Sequence, residues 1–139
     1  NFGYRIDSHG KSVFFTGDHE AYYNIYDPAD PSFSEYQALI EEKEQAVLEA
    51  LTGVDVLIAD ASYTVEEYPA KKGWGHGTHD SAIDLAKKAG AKILYCTHHE
   101  PTRSDDALER VFEQAMARHP PGEGGPEYRL AREGEEIEI

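Results

Sequence analysis

Cysteine is almost missing from this chain: Cys96 is the only one in 139 residues, which excludes an internal disulfide. It lies in an apolar run, where a free cysteine behaves as a small buried hydrophobe. Basic residues are scarce as well. There are 13 Lys and Arg against 27 Asp and Glu, for a formal charge of −14. Such a surface repels a phosphate backbone, and no stretch forms the basic patch that nucleic-acid binders carry, so nucleic acid is not an expected partner. Long apolar runs are absent too; none approaches the roughly 20 residues that cross a bilayer, so no membrane partner is expected. No charged-then-apolar leader opens the chain. Together with the lone cysteine, this predicts a cytoplasmic location.

With 40% hydrophobic residues and this length, the chain predicts one domain, residues 1–139, of the α/β class. The acidic clusters Glu41–Glu44 and Glu133–Glu138 read as solvated faces. Residues 2–7 and 11–16 predict a hairpin closed by Ser8-His9-Gly10. Residues 21–34, broken by Asp27-Pro28 and Asp30-Pro31, predict a long loop. A helix follows from Ser34 to about Leu51, with Tyr36, Leu39, Ile40, Val47 and Leu51 on one stripe. Residues 54–59 and 93–96 predict strands covered on both faces. Helices capped by Thr78 and Ser104 follow each of them, and residues 128–132 and 135–139 predict a closing hairpin around Gly134. A chain that begins inside a strand, without a starting Met, reads as part of something longer.

Three apolar runs each end in a loop rich in ligand chemistry: Gly17-Asp18-His19-Glu20, then Asp60 leading to Gly75-His76-Gly77-Thr78-His79, then His98-His99-Glu100. Loops at one strand end of an open α/β sheet share a crevice, so Asp18, His76 and His98 are expected to converge. A carboxylate at position 18 can bridge two cations, one on each oxygen. His76 lies between glycines at a helix start, where free N–H groups favour a phosphate or oxyanion; its imidazole can stabilise developing charge or protonate a leaving oxygen. A neutral imidazole at His98 suits a divalent metal. His19 and Glu20 are weaker candidates, because successive side chains in extended backbone face opposite ways. His79 reads as a cap or rim residue, His99 as facing away from His98, and His9 and His119 as surface residues. The stretch Tyr22-Tyr23-Asn24-Ile25-Tyr26 reads either as loop packing or as a contact surface. Lys71, Lys72 and Trp74 read either as a pocket gate or as surface.

The run Gly75-His76-Gly77-Thr78, a helix, then Ile93-Leu94-Tyr95-Cys96-Thr97-His98, with Gly17-Asp18 upstream, resembles the metallo-β-lactamase superfamily, and within it the phosphodiesterase branch that includes the tRNA 3′-processing endonucleases. Bacterial proteins that join this hydrolase domain to sensory or cyclic-nucleotide-binding modules look closer still. The likeness runs from about Phe2 to Ile139, with Gly77 in place of that branch's serine. It implies an αββα sandwich, of which this chain would be the C-terminal half: a mixed sheet with three helices. It also implies two divalent metal ions, zinc foremost with manganese or iron as alternatives, and a metal-activated hydroxide. By the resemblance Asp18 bridges the metals, His98 ligates one, and His76 contacts the scissile phosphate or its leaving oxygen.

The family's His-x-His-x-Asp-His motif does not occur in this sequence, and neither does the further histidine that lies before the bridging aspartate. The expected partners are therefore the N-terminal half of the fold, in cis or in trans, and a small phosphodiester or ester substrate. A cyclic nucleotide fits the acidic surface better than tRNA, and a homo-oligomer is compatible with everything above. Two alternatives remain: a non-catalytic ligand- or partner-binding module with a degenerate hydrolase fold, and a thioester or lactone hydrolase.

Overall fold

The computed structural model describes residues 2–139. A hairpin of β1 (Tyr4–Ser8) and β2 (Lys11–Phe15) opens the fold. Helix α1 (Phe33–Leu51) leads to β3 (Val56–Asp60). The short α2 (Tyr68–Lys71) and then α3 (His79–Ala89) lead to β4 (Ile93–Thr97). Helix α4 (Asp105–Arg118) leads to β5 (Glu127–Leu130). The strands lie in one sheet in chain order. β1 and β2 are antiparallel, and every later pair is parallel.

That order has a simple physical consequence. Parallel crossovers are right-handed, and here each steps in the same direction across the sheet. All crossover helices must therefore stack on one face. The core agrees with this: Leu57, Ala59, Leu94 and Cys96 point into a cluster with Leu51 of α1, Ala82, Ile83 and Ala86 of α3, and Phe112 and Ala115 of α4. Side chains alternate across a strand, so the intervening residues face the other way. They form two cross-strand rows, Ile6–Val13–Val56–Ile93 and Tyr4–Phe15–Ile58–Tyr95. This second face is apolar and is open at its β1–β2 end, where Tyr4 is 62% exposed, Ile6 64% and Phe15 42%, whereas Val56 and Tyr95 farther along the rows are buried.

Local signals explain the helix ends. Thr78 accepts from the Ser81 N–H while the Ser81 hydroxyl accepts from the Thr78 N–H, a reciprocal cap that fixes where α3 starts. Gly90 ends α3 in the left-handed region. The Ser104 hydroxyl accepts from Ala107 at the start of α4. Helix α1 starts slightly earlier than expected, with Ser32 rather than Ser34 at its cap position, and Leu39 turns toward solvent.

Two expectations are corrected. Residues 128–132 and 135–139 form no closing hairpin; β5 instead pairs parallel to β4 as the sheet edge, and no strand follows it. The glycine at 134 marks a turn, but the α4 crossover supplies the strand that the sheet edge needs. There is also a fourth helix, the one-turn α2, built around Pro69 near its start.

His79 is the third case. It stands in the cap region, as the first residue of α3 after Thr78, but it is 1% exposed rather than on a rim. Its Nδ1 faces the Tyr63 carbonyl at 3.3 Å, and its Nε2 is buried with no partner among the described residues. Burial pushes its pKa down to about 4. The folded protein therefore holds a neutral imidazole that protonates more readily in the unfolded chain. Its contribution to stability is complete above pH 6.5 and is lost as pH falls from there toward 4. The drop in urea midpoint between pH 7 and pH 4 is accordingly expected to be smaller in His79→Leu than in the wild type. Leu94, fully buried in the central cluster, gives a second test. Leu94→Ala is expected to cost about 2–5 kcal/mol in urea unfolding at neutral pH.

Candidate functional site

The carboxyl ends of three adjacent parallel strands meet at one rim. β2 runs out into Asp18, β3 ends at Asp60, and β4 runs out into His98. The connection from β3 to α3 brings back His76. Asp18, Asp60, His76 and His98 each place one ligand atom within 4.8 Å of the others. The expected convergence of Asp18, His76 and His98 is thus what the fold produces, and Asp60 joins them at its centre.

Asp60 organises the cluster. Its side chain is fully buried. One oxygen, Oδ2, accepts from the His19 backbone N–H at 3.1 Å and lies 2.8 Å from His76 Nδ1 and 3.3 Å from His98 Nδ1. The other, Oδ1, accepts from the Ser62 N–H at 3.2 Å and the Ser62 hydroxyl at 2.9 Å. A buried carboxylate is tolerated only when its lone pairs are met in this way. The two imidazoles share this one acceptor, and their ring centroids lie 4.4 Å apart. A ring that gives its Nδ1–H to Asp60 keeps an unprotonated Nε2, the tautomer that can ligate a metal or take up a proton. His98 Nε2 then lies 3.7 Å from Asp18 Oδ1.

Backbone geometry holds the same residues. His98 has φ 59, in the left-handed region, directly after β4. The Ser62 hydroxyl, which also faces Asp60, contacts the His98 carbonyl oxygen at 2.6 Å. Non-glycine residues seldom take this conformation, and they do so mainly at sites where the surroundings enforce it. Gly77 sits where a Cβ would lie 2.9 Å from the His19 carbonyl oxygen, 3.0 Å from the Ser81 hydroxyl and 3.1 Å from the Asp60 carbonyl oxygen. Three chain segments thus close on one missing side chain, which draws the segment after His76 tight against Asp60.

The remaining histidines and charges have other roles. His99 faces away from His98, as expected, and its Nε2 meets the Ala131 carbonyl at 3.0 Å. His119 is half-buried beside Asp80, whose carboxylate also binds Arg118. Arg103 stands near the site, but its guanidinium is committed to Glu67 at 2.6 Å and to the Ser62 carbonyl, so it braces the loop after β3. Lys71 lies over the Trp74 ring at 4.1 Å and Lys72 over the Tyr23 ring at 4.1 Å. Asp60 is the residue that reading by strand ends passed over, because it closes an apolar run and looks like a strand terminus. Its signal was present: an aspartate ending a largely buried parallel strand needs partners, and Ser62 two residues on supplies two of them.

The donor set suits a hard or borderline divalent cation, with carboxylate oxygens and imidazole nitrogens in reach of one another and no thiolate. A family model for a beta-lactamase superfamily domain matches residues 1–99. Among curated proteins, ribonuclease Z of Brevibacillus brevis is 36% identical over 76 residues, covering 55% of this chain and 24% of that protein. Ribonuclease Z of Agathobacter rectalis is 38% identical over 68 residues, covering 47% and 22%. Among solved structures, the metallo-beta-lactamase fold protein YhfI from Bacillus subtilis superposes with a TM-score of 0.56 at 20% identity, over 94% of this chain and 41% of that one. The chain spans about a quarter of the length of these ribonuclease Z relatives. A match over most of the chain, an α/β fold shared with a metallo-beta-lactamase fold protein, and a clustered Asp/His donor set together establish that the chain belongs to the beta-lactamase superfamily.

Proposed function

We propose that this chain is the C-terminal part of a metal-dependent hydrolase that cleaves a small phosphodiester, with Asp18 and His98 as metal ligands and His76 as the group that meets the scissile phosphate or its leaving oxygen. The observation that carries the reading is the shared carboxylate: Asp60 fixes both imidazoles at the rim where Asp18 emerges. A divalent cation held there supplies Lewis acidity and lowers the pKa of water. The protein's own part is orientation. Asp60 accepts from the Nδ1 of both rings and so fixes where each imidazole stands. The carboxylate of Asp18 has an oxygen for each of two cations. The ribonuclease Z relatives favour phosphodiester over thioester or lactone chemistry.

A catalytic cation usually has three protein ligands and an open position. Asp18 and His98 supply two, so the reading requires more ligands from the N-terminal half of the fold, in cis or in trans. The open sheet face is where that half would pack. Tyr4, Ile6 and Phe15 are large and apolar, they share two cross-strand rows with buried core-strand residues, and they are exposed in this chain.

Substrate size is argued from charge and shape. A cleft of about 690 Å³ opens beside Asp18 and is walled by Tyr22, Tyr23, Ile25 and Tyr36, with Lys43 at its edge. It lies in a chain of net charge −14, which disfavours a long polyanion. A compact ester with a planar or apolar group, such as a cyclic nucleotide, fits both features.

The test uses the full-length protein loaded with Zn²⁺ or Mn²⁺ and assayed on bis-p-nitrophenyl phosphate. His76→Ala is expected to lower kcat by about 100-fold or more with metal content retained. Asp18→Ala is expected to lose both metal and activity. Removing metal with a chelator is expected to abolish turnover and lower Tm, with both restored on re-addition. Activity that survives both substitutions would overturn the assignment. Absence of bound metal from the full-length protein would leave a ligand-binding module in its place, and turnover of thioesters or lactones alone would move the chemistry to those substrates.

A further inference from the structure

Glu20 stands two residues from Asp18, yet its carboxylate is turned away from the cluster and engages a different segment. Oε1 accepts from the Tyr68 hydroxyl at 2.7 Å and from the Gly73 N–H at 2.8 Å. Oε2 accepts from the Gly75 N–H at 2.9 Å. All three donors belong to the connection that carries His76. That connection has little stiffness of its own. Between the end of α2 at Lys71 and the start of α3 at His79 it has no regular structure beyond one isolated bridge at Thr78. Gly73 and Gly75 also sit at φ 86 and 89, where glycine is the residue that pays least.

We propose that Glu20 is the positioning residue for His76: its carboxylate clamps the 73–75 backbone and so sets where the imidazole stands relative to Asp60 and the metal ligands. The proposal rests on the hydrolase reading for its effect on turnover, but the clamp itself does not. Three consecutive residues then divide one task. Asp18 presents a carboxylate to the cluster, the His19 N–H binds Asp60, and the Glu20 side chain holds the loop. His76 is thereby fixed from two sides, by Asp60 at its ring and by Glu20 one residue before its backbone. A peptide N–H pair offered to one carboxylate forms charge-assisted bonds, stronger than neutral ones. Loss of the carboxylate therefore frees the loop rather than merely loosening it.

Trp74 makes this readable. It is the only tryptophan of the chain, it lies between the two clamped glycines, and it is 62% exposed. In the metal-loaded full-length protein, with Trp74→Phe as the reference that identifies its signal, Glu20→Ala is expected to lower the fluorescence anisotropy of Trp74. It is also expected to lower kcat by about 10- to 100-fold, the scale of a misplaced reacting group, with bound metal unchanged and KM moving by less than about threefold. Glu20→Gln keeps one carbonyl oxygen for Tyr68 and Gly73 and loses the Gly75 bond, so it is expected to fall between wild type and Glu20→Ala. If Glu20→Ala does not fold, Glu20→Gln and Tyr68→Phe carry the test, each with a partial loss of anisotropy. Unchanged Trp74 anisotropy in every folded variant overturns the proposal, and so does loss of activity that tracks loss of metal. If no variant hydrolyses any phosphodiester, wild type included, the phosphodiester reading fails while the Trp74 signal still decides the clamp.

Discussion

The site depends on one buried charge. Asp60 has no exposed side-chain surface, and an isolated carboxylate in that position would cost many kcal/mol. The fold accepts it because five donors from four segments converge on its two oxygens. Those same donors are the pieces of the site: the backbone after Asp18, the His76 ring, the His98 ring, and Ser62, whose hydroxyl also touches the His98 carbonyl. Satisfying the charge and assembling the cluster are one event. A chain that failed to gather these loops would leave the carboxylate unpaired, so the energetic penalty of disorder is built into the site itself.

The sheet order makes that gathering possible. Strands β2, β3 and β4 are neighbours, parallel and successive in the chain, so the loops that leave their carboxyl ends are forced side by side. Helices on one face keep the loops in place from below: α3 begins just after His76, and its reciprocal cap fixes that start. The opposite face carries apolar rows that are exposed at their β1–β2 end. The α/β layer is thus complete on the side that holds the loops and open on the side that would meet another layer.

Much of this could be read from the residues. Apolar runs leading into Asp18 and His98, and a glycine-flanked His76 before a capped helix, pointed to convergence at one rim. Thr78, Ser104 and Gly90 act where their chemistry predicts. What escaped was whatever depends on which neighbour a side chain meets. His79 follows a cap and carries a polar ring, so rim placement was the natural inference, but α3 turns it onto Phe112 and Tyr63 and buries it. Glu20 was discounted with His19 on strand alternation, a rule that separates only immediate neighbours in extended backbone. Past the end of β2 the chain is irregular, and the Glu20 carboxylate reaches the Gly73 and Gly75 N–H groups. The final strand was misassigned because a glycine turn with flanking β-formers suits a hairpin equally well; the parallel edge beside β4 is a tertiary choice that local spacing does not record.

The conformation at position 98 has an evolutionary reading. A left-handed φ directly after a strand is accessible to glycine and, among residues with side chains, mainly to asparagine, aspartate and histidine. Of these, histidine and aspartate are the ones that combine the backbone requirement with a good metal donor. Sequence drift at this position is therefore filtered twice, first by main-chain sterics and then by coordination chemistry. The small overlap of the two filters leaves few replacements open to any descendant of this chain that keeps a donor atom at this rim.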